Sequence, residues 1–517
     1  MPALVLALAL AQPAKADDPR NHADLTKSVG TAHVLVHYTT ATGNPDAVTA
    51  QQAAAAAKTL ESVWRLETGW GFPPPASDQG LGGDDRLDVY VAVAPQHRSF
   101  VAPDAANWRV SGFMDLDPAD VKDTTSARRY RGTMAHEFFH TIQLQWTSPE
   151  AQYAPYLLEA TAEWAGHRVS PAYWGAGPLF AYAPEASLDC PQTVCGSAGD
   201  GSRGYGQWPF FEYLSERYGA KVIREIFERD ALLGWQDVSG RHVWQGRSHV
   251  LEAIDSVLED HGTSLTRLWS QYAAFNLDPG RYTLPILRRL RLWSKPAHLL
   301  LVPAAARTYN PVVLKVDHLA STYLSLMTVN CDVTAPAVAS TLHVRVTLPW
   351  GSTAVPALRI TFSKQKPVIR TLKVAGGVAS IDVPGWRACM TARLAVPNPS
   401  TTDDGVQYTV SVSVTAGTDA RPPKVLALPA TGKAGRHIPL RFQVFDDSGY
   451  ASVSIRIYQG THLLGGDQSS MGKILASVSS YEGFAPSAPG AYRFCVRAKD
   501  LAGNVSRFSC APIRVTP

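Results

Sequence analysis

At 517 residues the chain is too long for one compact core; at about 150 residues per domain it divides into about three. Its composition, 45% hydrophobic and 18% charged, excludes an intrinsically disordered chain. The 48 Lys and Arg against 44 Asp and Glu leave +4, read as a small excess over a large surface and not as the basic stripe of a nucleic-acid binder.

The apolar run Ala3 to Ala11, then Ala14-Lys15-Ala16 and acidic Asp17-Asp18, has the order of a secretory signal with an A-x-A cleavage site. The reading is a signal peptide over 1–16 and a secreted, extracellular protein; a buried N-terminal helix is the alternative. That run falls short of the roughly 20 apolar residues a bilayer needs. The next longest, Leu299 to Ala306, is interrupted by Pro303, so no transmembrane segment is expected.

From about residue 28 to 282 strand-like and helix-like segments alternate. Ala32 to Thr40 and Arg86 to Ala94 read as strands rich in Val and Tyr. Asp46 to Glu67, Thr124 to Trp146, Pro155 to Val169, Gln207 to Tyr218, Lys221 to Asp230 and His249 to His261 read as helices. Beyond about 283 the helical period gives way to β-branched runs (Leu342 to Leu348, Leu358 to Ser363, Gln407 to Val414) punctuated by Gly, Pro and Asp. After the linker Asp419 to Pro423 a second such unit carries HIPLRFQVFDDSG and AYRFCVRAKDLAGNVS. The expected architecture is an α+β domain over 17–282 and two β-sandwiches over 283–418 and 419–517. The last unit resembles the immunoglobulin-like or fibronectin-like modules of secreted bacterial enzymes.

Six cysteines fall as Cys190/Cys195, Cys331/Cys389 and Cys495/Cys510, each pair inside one expected domain. Six allow 15 connectivities, and local pairing is the simplest for an oxidised chain. No pair has the C-x-x-C spacing of a zinc ribbon or redox motif.

Gly132-Thr-Met-Ala-His136-Glu137-Phe-Phe-His140 contains HExxH within an expected helix. Histidines at i and i+4 share a helix face, so two imidazoles reach one ion. Glu137 lies beside that face, placed to take a proton from metal-activated water. After eighteen intervening residues comes Glu159, within Tyr156-Leu-Leu-Glu159-Ala-Thr-Ala-Glu163-Trp164. A carboxylate flanked by Leu157, Leu158, Ala160 and Ala162 needs a reason to be there, and a zinc site of the His2Glu type supplies one. Glu163, one turn on, suits a hydrogen bond to a liganding His; a plain exposed glutamate is the alternative.

HEFFH, the gap of 18 residues and LLEATAEW together resemble the gluzincin metallopeptidases. The spacing is similar to that of zinc aminopeptidases, and thermolysin relatives share the arrangement with a longer gap. The resemblance covers about residues 86–218. It implies a zincin-like domain in which His136, His140 and Glu159 bind Zn2+, Glu137 is general base and Glu163 supports a ligand from behind. Arg203-Gly-Tyr205-Gly is similar to the aminopeptidase segment whose Tyr steadies the oxyanion, which makes Tyr205 the candidate donor on a Gly-flanked loop; His242 and His249 are weaker candidates. Gly112-Phe-Met114-Asp115-Leu resembles the aminopeptidase G-x-M-E-N strand, with Asp for the Glu that grips a free amine and Leu for Asn. Met114 and Asp115 are therefore expected only to line the cleft, on a strand that pairs with an extended peptide. Gly82-Gly-Asp84-Asp85-Arg-Leu-Asp88 offers clustered carboxylates for Ca2+, with a plain acidic turn the commoner case.

The resulting expectation is a secreted zinc metallopeptidase acting on proteins or peptides, endopeptidase rather than aminopeptidase, with the β-sandwiches attaching it to a surface or polymer. Two alternatives stand beside it. One is a non-enzymatic adhesion protein on a zincin scaffold; the other is a zinc hydrolase of a non-peptide amide such as one in a cell wall.

Overall fold

The computed structural model describes residues 20, 22–93, 99–104, 110–122, 127–146, 154–171, 173, 183–189, 202–238, 241–244, 249–289, 299–302, 307–327, 340–361, 366–386, 390–415, 422–446, 450–469, 472–473, 479–481, 483–500 and 503–517. The expected signal peptide, Cys190, Cys195, Cys331 and Cys389 lie outside them. Among the described residues no helix is long and apolar enough to cross a membrane.

The first unit runs β1 (Lys27–Gly30), β2 (Val34–Tyr38), α1 (Ala50–Gly69), β3 (Leu87–Val91), β4 (Phe100–Pro103), β5 (Gly112–Leu116), α2 (Pro118–Lys122), α3 (Ala127–Gln143) and α4 (Pro155–Val169). It continues as α5 (Ser202–Gly206), α6 (Trp208–Tyr218), α7 (Lys221–Gly234), the hairpin β6 (Trp235–Val238) and β7 (Arg241–Trp244), α8 (Val250–Asp260), α9 (Leu265–Asn276) and α10 (Pro285–Arg289). The sheet order is β1-β2-β3-β5-β4, with β2, β3 and β5 parallel and the two outer strands antiparallel to their neighbours. Alternation along the strands sends Val34, Val36, Val89, Val91, Met114 and Leu116 into one core with α1, α3 and α4.

Helix starts follow capping chemistry. The expected helix from Asp46 begins at Ala50, because Asp46 is occupied in accepting the Val93 N–H at 2.6 Å. Thr49 then closes a capping box with Gln52, worth about 1 kcal/mol. Two boundaries differ from the sequence reading. The helical unit extends through α10, whose Ile286 and Leu287 join the same core, so it does not stop at 282. Tyr205 sits inside the short helix α5 and not on a loop.

The cleft-lining strand is the larger correction. β5 is an interior strand: Met114 and Asp115 pair with Val89 and Tyr90 on one side and with Val101 and Phe100 on the other. Its backbone has no free edge for a peptide; among the described residues the sheet's edge strands are β1 and β4. Met114 points into the core. Asp115 points to the opposite face, where it meets His22 at 3.1 Å.

That opposite face is covered by the segment around Arg20. The Arg20 guanidinium is buried and pairs with Asp78, Asp88 and Asp104, while His22 stacks on Tyr90. Gly82, at φ +76°, is packed directly against the Asp88 carboxylate, where a Cβ would collide. The acidic loop does not converge on a cation: Asp84 engages Arg86, and Asp88 engages Arg20 and His37. Ca2+ finds no gathered carboxylate set there.

The second unit is a β-sandwich. Its strands are β8 (Leu299–Leu301), β9 (Arg307–Thr308), β10 (Val312–Val316), β11 (Ala320–Met327), β12 (Ser340–Thr347), β13 (Ala357–Thr361), β14 (Val368–Thr371), β15 (Lys373–Ala375), β16 (Val378–Trp386), β17 (Thr391–Asn398) and β18 (Val406–Thr415). One sheet has the order β10-β18-β12-β16-β15, with β9 also on β18; the other is β14-β13-β17-β11-β8. Strict alternation such as Leu342, Val344 and Val346 inward fills the space between them. This sandwich shares core with the first unit. Leu319, Tyr323, Ala357 and Ala395 pack among the helices, and Trp269 donates to the Ala320 carbonyl at 3.0 Å.

The third unit comprises β19 (Lys424–Ala427), β20 (Ala430–Lys433), β21 (Leu440–Phe445), β22 (Tyr450–Gln459), β23 (His462–Gln468), β24 (Gly472–Lys473), β25 (Ser479–Tyr481), β26 (Gly490–Asp500) and β27 (Ser509–Thr516). A sheet β19-β21-β25 faces a sheet β20-β27-β26-β22-β23, with β24 also on β22. Cys495 and Cys510 are disulfide-bonded across β26 and β27.

Glu67 on α1 is fully buried, and both its carboxyl oxygens are without a hydrogen-bond partner. Burial pushes its pKa well above the ordinary value. A carboxyl whose folded pKa is raised stabilises the fold below its unfolded pKa of about 4.3 and loses that contribution as pH rises. Glu67→Gln is therefore expected to stabilise the protein by about 1–3 kcal/mol at neutral pH and by little at pH 4. Urea denaturation at both pH values checks this.

Candidate metal centre

Two helices build the site. On α3, His136 and His140 lie one turn apart on the face toward α4. On α4, Glu159, Glu163 and His167 follow at i, i+4 and i+8, so one stripe presents three polar groups in an otherwise apolar helix. Close approach depends on glycine: a Cβ on Gly166 would meet the Gly132 carbonyl at 2.9 Å and the Tyr173 ring at 2.9 Å.

The donor atoms form a small triangle. The two imidazole Nε2 atoms are 3.1 Å apart, and Glu159 Oε2 lies 3.4 Å from that of His136 and 3.5 Å from that of His140. Zinc–ligand bonds of about 2.0–2.1 Å set tetrahedral donor separations near 3.3 Å, which is the spacing of this triangle. Among the described residues this is the one group of three or more His, Cys, Asp or Glu side chains so gathered. His136 and Glu159 are buried and His140 is partly exposed. Glu159 Oε2, His136 Nδ1 and the Tyr205 hydroxyl are buried with no hydrogen-bond partner.

The electrostatics favour a cation. Burial alone would depress His136, yet the adjacent Glu159 carboxylate and the charges of Glu137 and Glu163 lift it to about 9. Burial likewise opposes the Glu159 carboxylate, but His140 and His136 hold it well below the usual range. Burial raises Glu137 to about 7, with Glu159 and Asp120 adding to the rise and the two imidazoles opposing it.

A second layer holds these groups. Gln143 donates through Nε2 to the Leu158 carbonyl at 2.8 Å and to Thr161 Oγ1 at 2.9 Å. Its Oε1 is thereby fixed as an acceptor, and His140 Nδ1, 2.7 Å away, must carry the proton. Nε2 of His140 faces the triangle. Glu163 Oε1 stands 3.5 Å from His136 Nδ1, behind that ligand as expected. Glu163 is held in turn by the Tyr173 hydroxyl at 3.2 Å and by His167 at 3.4 Å, and His167 is buried and stacked on Trp208.

Tyr205 joins the site, with its ring parallel to that of His136 at 6.0 Å. Burial, and then the neighbouring Glu159, push its phenol pKa well up, so the hydroxyl remains a donor. His249 is engaged with Glu252 at 2.7 Å. His242 lies on β7, and its side chain is outside the described residues. Sequence reasoning passed over Gln143, His167 and Tyr173. The first two carried a readable signal, at i+3 from His140 and i+4 from Glu163. Tyr173 carried none, because it reaches Glu163 only through the tertiary fold.

No known family profile matches the chain, and no curated protein sequence matches it. Among solved structures it is similar to the PKD domain of an M14-like peptidase from a Thermoplasmatales archaeon, at 17% identity, covering 19% of this chain and 94% of that one, TM-score 0.15. It is similar to fibronectin(III)-like modules of CbhA from Clostridium thermocellum at 13% identity, covering 37% and 93%, TM-score 0.15. A third is a β-1,2-glucanase from Parabacteroides distasonis at 16% identity, covering 38% of this chain and 30% of that enzyme, TM-score 0.15. Likeness at this level carries no chemistry. The chain is thus a mixed α/β multidomain protein with immunoglobulin- or fibronectin-like β-modules, an assignment that rests on its own sheets.

Removing an orienting group behind a metal ligand typically costs 10–100-fold in affinity. Gln143→Leu is expected to weaken zinc binding by roughly that factor, read by competition with a chromogenic chelator.

Proposed function

We propose that this is a zinc-dependent peptidase of gluzincin type, exported from the cell, that cuts protein chains internally. The observation that carries the reading is the triangle of His136, His140 and Glu159 donor atoms at 3.1–3.5 Å with Glu137 beside it. Zinc held there would supply Lewis-acid polarisation of a carbonyl and would lower the pKa of a bound water to about 7.

The chain's own residues do the rest. Glu137, next in sequence to His136, accepts a proton from the attacking water and returns it to the leaving amine. Tyr205 presents a protonated, unpartnered hydroxyl at the same wall and donates to the oxyanion as charge develops there. Glu163, clamped by Tyr173 and His167, fixes the His136 ring, and Gln143 fixes the His140 ring. The free edge of β4 is the place for an extended substrate to add as a strand. Asp115 is paired with His22, which leaves no carboxylate from β5 to grip a free amine, so internal cleavage is favoured over stepwise trimming.

The test is mass spectrometry of an unfolded protein mixture digested by the wild type and by Glu137→Gln, each with zinc content measured. Internal cuts that fall by roughly 10²–10⁴-fold in the variant, with zinc retained, are expected. Stepwise N-terminal trimming would replace the endopeptidase reading with an aminopeptidase one. No cleavage by the zinc-loaded wild type would overturn peptidase function.

A further inference from the structure

The net charge of +4 conceals a strong segregation. Residues 1–282 carry 22 Lys and Arg against 33 Asp and Glu, a net of −11. Residues 283–418 carry 14 against 5, or +9, and residues 419–517 carry 12 against 6, or +6.

In the third unit the strand register arranges that charge. Along β26 the outward positions are residues 491, 493, 495, 497 and 499, since Tyr492, Phe494, Val496 and Ala498 fill the core. Lys499, Arg497 and Arg493 occupy three of these rungs. Arg456 of β22 lies directly opposite Cys495, and Arg514 of β27 directly opposite Ala491. One rung further, β27 contributes Thr516, and Lys433 of β20 lies beside it. Six successive outward rungs therefore each carry one cation: Lys433, Arg514, Arg493, Arg456, Arg497 and Lys499. No Asp or Glu takes an outward position on the described strands of this sheet, and none of the six cations has an ion-pair partner among the described residues. At about 6.8 Å between outward positions the strip is about 34 Å long.

The strip is pre-ordered. Arg456 and Arg497 both stack on Phe508 with their guanidinium carbons 5.1 Å from its centroid, and Arg493 stacks on Tyr458 at 5.1 Å. The Cys495–Cys510 disulfide ties the two central strands at the middle of the strip. Stacked guanidiniums lose less freedom on binding than free ones.

We infer that this face binds a linear anionic polymer without bases, its repeating charge a carboxylate or a phosphate. A row of like charges with no carboxylate among the outward positions is complementary to an acidic partner, and rungs that repeat along the strand direction suit a chain with a repeating charge. Among the described residues the strip's two rings are already covered by arginines, which leaves no platform there for the base stacking that single-stranded nucleic acids use. The acidic first unit repels the same polymer, which keeps the metal centre clear of it. This inference is independent of the metal centre's chemistry.

The test measures binding of the full chain to polyphosphate, polygalacturonate, single-stranded DNA and neutral dextran in about 50 mM salt. Submicromolar to micromolar binding to one or both of the first two, and none to dextran, is expected. The arm that binds more tightly identifies phosphate or carboxylate as the repeating group. Combining Arg456→Gln, Arg497→Gln and Lys499→Gln is expected to weaken binding at least tenfold and to lower the slope of log affinity on log salt by about two. The same three positions changed to Lys should retain most of the binding, which separates lost charge from lost folding. Lys315→Gln, Arg345→Gln and Lys373→Gln on the second unit serve as the control and should change it less than twofold. No binding to either anionic polymer, equal binding by the Gln triple variant, or a clear preference for DNA would each overturn the inference.

Discussion

The buried carboxylate of Glu159 is the constraint on which the first unit is organised. An ionised group in an apolar helix interface is tolerated only when opposite charge and hydrogen bonding compensate its lost hydration. Here the compensation comes from two imidazoles of a neighbouring helix, so the distance and rotation of α3 against α4 are fixed by three atoms within 3.5 Å. Gly132 and Gly166 let the backbones come close enough, and the Tyr173 ring fills the slot they leave. Glu163 then requires its own partners, and Tyr173 and His167 meet that need. Each polar group brought inside thus recruits the next, and the chain of compensation ends on Trp208 stacked against His167.

The same rule operates on the far face of the sheet with different residues. Arg20 gathers Asp78, Asp88 and Asp104 into a buried network, which accounts for an acidic loop that in sequence has the look of a cation site. Breaking one member of such a network typically costs about 3–5 kcal/mol, because the remaining charges stay buried without compensation. Arg20 is therefore part of the folded unit.

How much of this was legible in the sequence depended on range. HExxH and the Glu159 stripe were readable because helical spacing alone puts their side chains on shared faces, and Pro155 to Val169 matches the observed helix end to end. The outward and inward runs of the β-units were readable for the corresponding reason at period two. Strand order was not: Phe100-Val-Ala-Pro103 is four residues ended by proline, and nothing local says that it covers β5. Tyr173 is likewise invisible without the fold. The cationic strip shows the limit of summed composition, since its six members come from four strands and a total of +4 cancels them against an acidic domain.

We propose that His136, His140 and Glu159 hold one zinc ion. X-ray absorption at the zinc edge on the purified protein tests it most directly. One zinc per chain is expected, bonded to two imidazole nitrogens and light oxygen donors at about 2.0–2.1 Å and lost in Glu159→Ala. Sulfur bonded at about 2.3 Å, or a protein that takes up no zinc, would contradict it.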